Sequence, residues 1–150
     1  MKKELVLSTE SDTFSLGRKI ASFLPQGGFI ALYGDLGSGK SVFARGIAAY
    51  LGINTIASPT FTILQRYDTE PVFYHIDAYR LSNENELYDV GYDECLLSKS
   101  IVVLEWADIV PNALPDTRID IHLIGSGFGP RTAVIDSYQD ILSEDQFAAL

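Results

Sequence analysis

The chain has 150 residues, 47% of them hydrophobic, with 11 Lys plus Arg against 20 Asp plus Glu and a formal net charge of −9. That length suits a single domain spanning residues 1–150, and the apolar content is enough for a core, which excludes a disordered chain. The acidic balance argues against a protein that grips nucleic acid with a basic face of its own. The single cysteine, Cys95, excludes an internal disulfide and a cysteine zinc site. It is expected to be a buried or half-buried small apolar residue. Leu5-Val6-Leu7 is too short a run for a secretory signal. No stretch approaches the ~18 apolar residues of a membrane span. The chain therefore reads as soluble and cytoplasmic, with no membrane partner.

In chain order, residues 4–8 read as a short strand. Ser8, Thr9 and Ser11 offer capping oxygens to a helix whose buried stripe is Leu16, Ile20, Phe23 and Leu24. Pro25-Gln26-Gly27-Gly28 stops it. Phe29 to Tyr33 is a continuous apolar run, as in a strand buried on both faces of a parallel sheet. A glycine-rich loop follows, then a helix over 42–51 closed by Gly52. Residues 61–67 and 72–76 are β-rich, and the Asp68-Thr69-Glu70-Pro71 turn between them predicts a hairpin. Residues 83–90 read as a short helix ending at Gly91. Ile101-Val102-Val103-Leu104 is a second fully apolar strand. Residues 118–124 and 132–136 alternate and read as late strands joined by a glycine-rich turn, and a terminal helix starts at Ser143. The expected fold is α/β, P-loop NTPase-like, with a mixed central sheet, flanking helices and an antiparallel portion.

Gly34-Asp35-Leu36-Gly37-Ser38-Gly39-Lys40-Ser41 matches G-x-x-x-x-G-K-[ST] in full, between an apolar strand and a helix. Glycines let successive backbone N–H groups point inward at phosphate oxygens, and the helix N-terminus adds partial positive charge there. Lys40 suits the β- and γ-phosphates, and the Ser41 hydroxyl suits magnesium. The ligand predicted is ATP with Mg2+.

Such a site also needs an acid to hold the metal or orient the attacking water. Glu105 ends the purest apolar strand and is the preferred magnesium-side carboxylate. Asp77 ends Val72-Phe73-Tyr74-His75-Ile76 and is the second choice. A capping or surface carboxylate is the plainer alternative for each. Trp106, the only tryptophan, sits either against the nucleotide or a partner or in core packing. His75 lies two residues before Asp77 and shares its strand face. On its own it is most simply a hydrogen-bonded structural residue. Arg80 is either a phosphate contact or half of an ion pair. Ser58-Pro59-Thr60-Phe61 is either a γ-phosphate-sensing switch loop or a plain proline turn.

Taken together, the loop, Phe43, Arg45-Gly46, Ser58-Pro59-Thr60-Phe61, His75-Ile76-Asp77-Ala78-Tyr79-Arg80-Leu81 and Glu105-Trp106 resemble the TsaE family. The order and spacing agree from about Thr13 to Arg131. The resemblance implies an ATPase required for the threonylcarbamoyl modification of adenosine 37 of tRNA. It implies weak activity alone and promotion by two partners, the transferase TsaD and its scaffold TsaB, with tRNA met only through them. It also implies roles for Lys40 and Ser41 at phosphate and magnesium, for Asp77 and Glu105 in catalysis and metal binding, and for Trp106 at the site. Thr60 falls in the switch-like loop, Glu10 and Thr13 at the adenosine end, and Arg131 at a late nucleotide-side loop. Two departures stand out. Ser41-Val42 replaces the family's commoner Thr-Thr, and Ala107-Asp108 replaces a frequent proline after Glu-Trp. Two other readings compete: a small-molecule or nucleoside kinase, for which no arginine-rich lid is evident, and a nucleotide-gated binding module that never turns ATP over.

Overall fold

The computed structural model describes residues 1–59 and 62–150. Its elements, in chain order, are β1 (Lys2–Leu7), α1 (Glu10–Ser22), β2 (Gly28–Tyr33), α2 (Lys40–Tyr50), β3 (Leu64–Tyr67), β4 (Val72–Asp77), α3 (Glu84–Asp89), α4 (Tyr92–Leu97), β5 (Ser100–Glu105), β6 (Ile119–Ile124), β7 (Arg131–Ser137) and α5 (Glu144–Ala148). Short 3₁₀ turns at Ala107–Ile109 and Pro111–Ala113 follow β5.

The seven strands form one sheet in the order β1-β7-β6-β2-β5-β4-β3. The centre is parallel: β2 runs with β5 and β6, and β4 with β5. The flanks are antiparallel, β1 and β6 on β7 and β3 on β4. This is the mixed sheet with an antiparallel portion that the alternating and continuous apolar runs imply. β2 and β5 are buried on both faces, which explains their unbroken apolar sequence.

Of the oxygens available before α1, Thr9 is the cap. Its Oγ1 accepts from Asp12 N at 3.2 Å and Asp12 Oδ2 accepts from Thr9 N at 3.1 Å, a reciprocal capping box. The stripe Leu16, Ile20 and Leu24 is buried in one cluster with Phe43 and Ile47 of α2 and Ile30 and Leu32 of β2. A second cluster on the other face joins Ala31, Val102 and Leu104 to Leu87, Tyr92 and Cys95.

Among the boundaries that differ from the sequence expectation, two have clear physical reasons. α2 starts at Lys40, not Val42, because Gly39 takes a left-handed φ of 109° and turns the chain directly into the helix. The region after α3 is a second helix, α4. Gly91, at φ 97°, ends the one and starts the other, so the glycine that reads as a stop is also a cap. The hairpin over β3 and β4 is present, and its turn contains a cis Glu70–Pro71 bond. Thr60 and Phe61, which the sequence reading places in the switch-like loop and at the start of the strand, lie outside the described residues.

Cys95 is 2% exposed, and burial pushes its thiol up to about 12. At pH 8 its thiolate fraction is then on the order of 10⁻⁴. A maleimide or iodoacetamide is expected to leave the native protein unlabelled at pH 8 over an hour and to label it fully in guanidinium. Fast native labelling, read by mass spectrometry, would contradict this burial.

Candidate phosphate-binding site

β2 delivers the chain to the loop, and α2 carries it away. Gly34, Gly37 and Gly39 have φ values of 154°, 81° and 109°. At Gly34 a Cβ would collide with Ser38 Oγ and the Leu123 carbonyl oxygen, so the turn cannot close with a side chain there. The Oγ of Ser38 is buried and has no hydrogen-bond partner among the described residues. At Gly37 the space a Cβ would take is open. Loop backbone facing open space at Gly37 and a helix N-terminus without a side-chain cap make a donor set suited to an anion with several oxygens.

The loop borders a cleft of about 640 Å³. Leu36, Gly37, Gly39, Lys40 and Ser41 line it, together with Glu10, Thr13, Asp77, Glu105, Trp106 and Arg131. Gly34 and Asp35 face a separate cavity of about 440 Å³ behind the loop, and Ser38 lies buried beneath it. Most of the residues singled out in the sequence, though not Gly34, Asp35 or Ser38, thus converge on one cleft from segments as distant as α1 and β7.

Lys40 is 5% exposed. Its Nζ donates to the carbonyls of Gly34 at 2.6 Å and Asp35 at 2.9 Å, and stands 4.2 Å from the Trp106 ring centroid. Burial pushes its pKa down, and the negative charge of Glu105 and Asp77 opposes this. The ammonium is thus desolvated and held by neutral carbonyls, ready for an anionic partner. Trp106 adopts a left-handed φ of 60° as the chain leaves β5, and its ring lies 4.9 Å from that of Tyr79. The Ala107-Asp108 departure does not open this corner: Ala107–Ile109 forms a 3₁₀ turn there.

Asp77 and Glu105 are register partners at the C-terminal ends of adjacent parallel strands. Strand alternation puts both on the α2 side of the sheet. Asp77 Oδ1 accepts from Tyr79 N at 2.9 Å. Glu105 is 5% exposed, and its Oε2 lies 2.5 Å from His75 Nε2. Among the described residues no three His, Cys, Asp or Glu side chains converge as a metal cage of their own.

Arg131 does not point at the cleft alone. Its guanidinium donates to the Ser38 and Gly37 carbonyls at 3.0 Å each and to Gly127 at 2.9 Å, tying the loop to the β6–β7 turn. Glu10 pairs with Arg45 of α2 at 3.1 Å, and Thr13 is buried at the cleft wall. The sequence reading missed Ser8, Thr9 and the 127–129 turn as cleft walls. The turn's signal was its run of glycines ending at Pro130.

A phosphate-type loop between a buried parallel strand and a helix, with carboxylates at neighbouring strand ends, defines a P-loop NTPase-like α/β protein. The fold matches a crystal structure of Bacillus subtilis YdiB with a TM-score of 0.82 and 27% identity, over 99% of this chain and 96% of that one. The pattern of the family described as threonylcarbamoyl adenosine biosynthesis protein TsaE matches residues 7–132. Proteins described as tRNA threonylcarbamoyladenosine biosynthesis protein TsaE are similar along most of their length. That of Treponema pallidum is 36% identical over 79% of this chain and 88% of its own. That of Bacillus subtilis is 36% identical over 89% and 87%. The chain belongs to the TsaE family, which places it in threonylcarbamoyladenosine biosynthesis. None of its helices, among the described residues, is long and apolar enough to cross a membrane.

Proposed function

We propose that this chain binds and hydrolyses ATP with Mg2+ and acts with the TsaB–TsaD pair in threonylcarbamoylation of adenosine 37 of tRNA. The observation that carries this reading is the convergence of Lys40, Ser41, Asp77 and Glu105 on the cleft under the loop. Lys40 exchanges its two carbonyl acceptors for β- and γ-phosphate oxygens, and the backbone amides of Gly37, Gly39, Lys40 and Ser41 hold the same oxygens, the Ser38 amide being bound to the Asp35 carbonyl. Ser41 and Glu105 would hold the metal, since nucleotide-bound magnesium takes one or two protein ligands beside phosphates and water. Magnesium, when bound, would supply positive charge that offsets the charge of the phosphates. Asp77 orients water for attack on the γ-phosphorus, and Trp106 keeps Lys40 in place and away from solvent. A net charge of −9 agrees with tRNA being held by the partners.

The test is ATP turnover by the chain alone and with its cognate TsaB–TsaD pair. The expected result is a weak rate alone, stimulation by the pair, and loss of that stimulated rate in Glu105→Ala. No stimulation by the pair, with turnover driven instead by a small acceptor, overturns the reading in favour of a kinase.

A further inference from the structure

His75 touches one of the carboxylates and has no place in that scheme. It is 2% exposed and does not line the cleft, so it cannot touch a bound nucleotide. It sits on β4 opposite Val103 of β5, while Glu105 lies two residues further along β5. The two are therefore diagonal neighbours on one sheet face, within reach of each other's side chains. The imidazole stacks on Phe73, at 6.0 Å and 10°, and Phe73 stacks in turn on Tyr67, at 5.7 Å and 22°. Packing thus sets the plane of the ring. Its Nδ1 is buried and has no partner among the described residues. An ionised carboxylate only accepts, so in the contact with Glu105 Oε2 the Nε2 of His75 is the donor.

The geometry points to His75 as a positioning residue for Glu105, an inference that rests on the proposed metal role of that carboxylate. A buried glutamate with several rotatable bonds has an alternative: the Lys40 ammonium, whose pKa it already raises through space. A carboxylate swung onto Lys40 would occupy the cation meant for phosphate and leave the metal position. With Oε2 tied to Nε2 by a ring that packing holds rigid, Oε1 is left to the cleft and Lys40 to the loop carbonyls. Partners of this kind fix the orientation of metal-ligating groups elsewhere, and their loss typically costs about 10–100-fold in metal affinity or activity.

Two variants of the full chain separate positioning from mere packing. His75→Phe keeps the planar shape and the stack on Phe73 but has no donor. His75→Gln supplies an N–H at about the reach of Nε2. Three quantities are measured: the Mn2+ concentration at half-saturation in the presence of ADP, by electron paramagnetic resonance; metal-free ADP affinity, by calorimetry; and kcat for ATP with TsaB–TsaD. For His75→Phe the Mn2+ midpoint is expected to rise and kcat to fall by about 10–100-fold each, with metal-free ADP affinity within about two-fold of wild type. His75→Gln is expected to recover most of both losses. Wild-type Mn2+ midpoints in His75→Phe overturn the proposal. So does equal loss of metal-free ADP affinity in both variants, which marks a purely structural role. If the wild-type chain binds Mn2+ and ADP but never turns ATP over, the ATPase reading alone falls, and the Mn2+ midpoints still decide the role of His75. If it binds neither, both fall.

Discussion

Lys40→Ala is expected to lower partner-stimulated ATP turnover by a factor on the order of 10²–10³, the usual cost of removing one charged group aimed at developing negative charge. Here the ammonium's surroundings strengthen the case. Its side chain is nearly sealed from water, so its attraction for phosphate is poorly screened. Its present acceptors are the neutral Gly34 and Asp35 carbonyls, so engaging a phosphate breaks no ion pair with them. Burial holds its pKa down, which means the charge stands where the fold alone does not favour it. The variant's melting temperature without nucleotide is therefore expected to stay within a few degrees of wild type while binding and turnover collapse. Calorimetric titration with ATP and magnesium, alongside a thermal melt, checks both halves. Full turnover in the variant, or unfolding before any nucleotide is added, would contradict the role assigned to Lys40.

Gly46→Ala is expected to lower the melting temperature by roughly 5–10 °C, from an overpacking cost of about 1–3 kcal/mol or slightly more in a chain of this size. Helix propensity alone argues the opposite sign, since alanine is favoured over glycine by about 1 kcal/mol inside a helix. Packing decides. A Cβ at Gly46 would collide with the carbonyl oxygen of Phe14 on α1 and come within 3.2 Å of Arg18 N. Across the same crossing, a Cβ at Gly17 would collide with the carbonyl oxygen of Phe43 and come within 3.2 Å of Ile47 N. The obstacles are helical backbone on both sides, so no side-chain rotation relieves them and the helices must part. α2 begins at Lys40, so its displacement also moves the loop. Nucleotide affinity is expected to fall with stability in this variant. A melting temperature equal to or above wild type would show that α1 and α2 separate freely.

The parts of the site that were legible beforehand are those in which a residue type answers to its own backbone. Gly34 and Gly39 are glycines because the turn into α2 needs positive φ, and Lys40-Ser41 follow at the helix start. Asp77 and Glu105 could be named as strand-end carboxylates because β-rich runs precede them, unbroken and apolar before Glu105 and interrupted only by His75 before Asp77. The α3–α4 break was misread for the same local reason. Gly91 satisfies the rule for a helix stop, and nothing nearby says that Tyr92 and Cys95 have a second core to enter.

Other features lie beyond local rules. His75 and Glu105 are 30 residues apart, and the Arg131 bond to Ser38 spans 93. Such contacts depend on strand register and on which strands are neighbours in the sheet. The sequence by itself determined the phosphate loop, the buried strand and helix around it, and family membership. Each rests on φ preferences, apolar periodicity and motif spacing carried by a few consecutive residues. Only the tertiary structure decided that one oxygen of Glu105 is taken by a histidine, that Arg131 braces the loop from β7, and that Gly17 and Gly46 face each other's helix backbone. Those facts arise where distant segments meet, and burial and pairing across the sheet, not local propensity, set who meets whom.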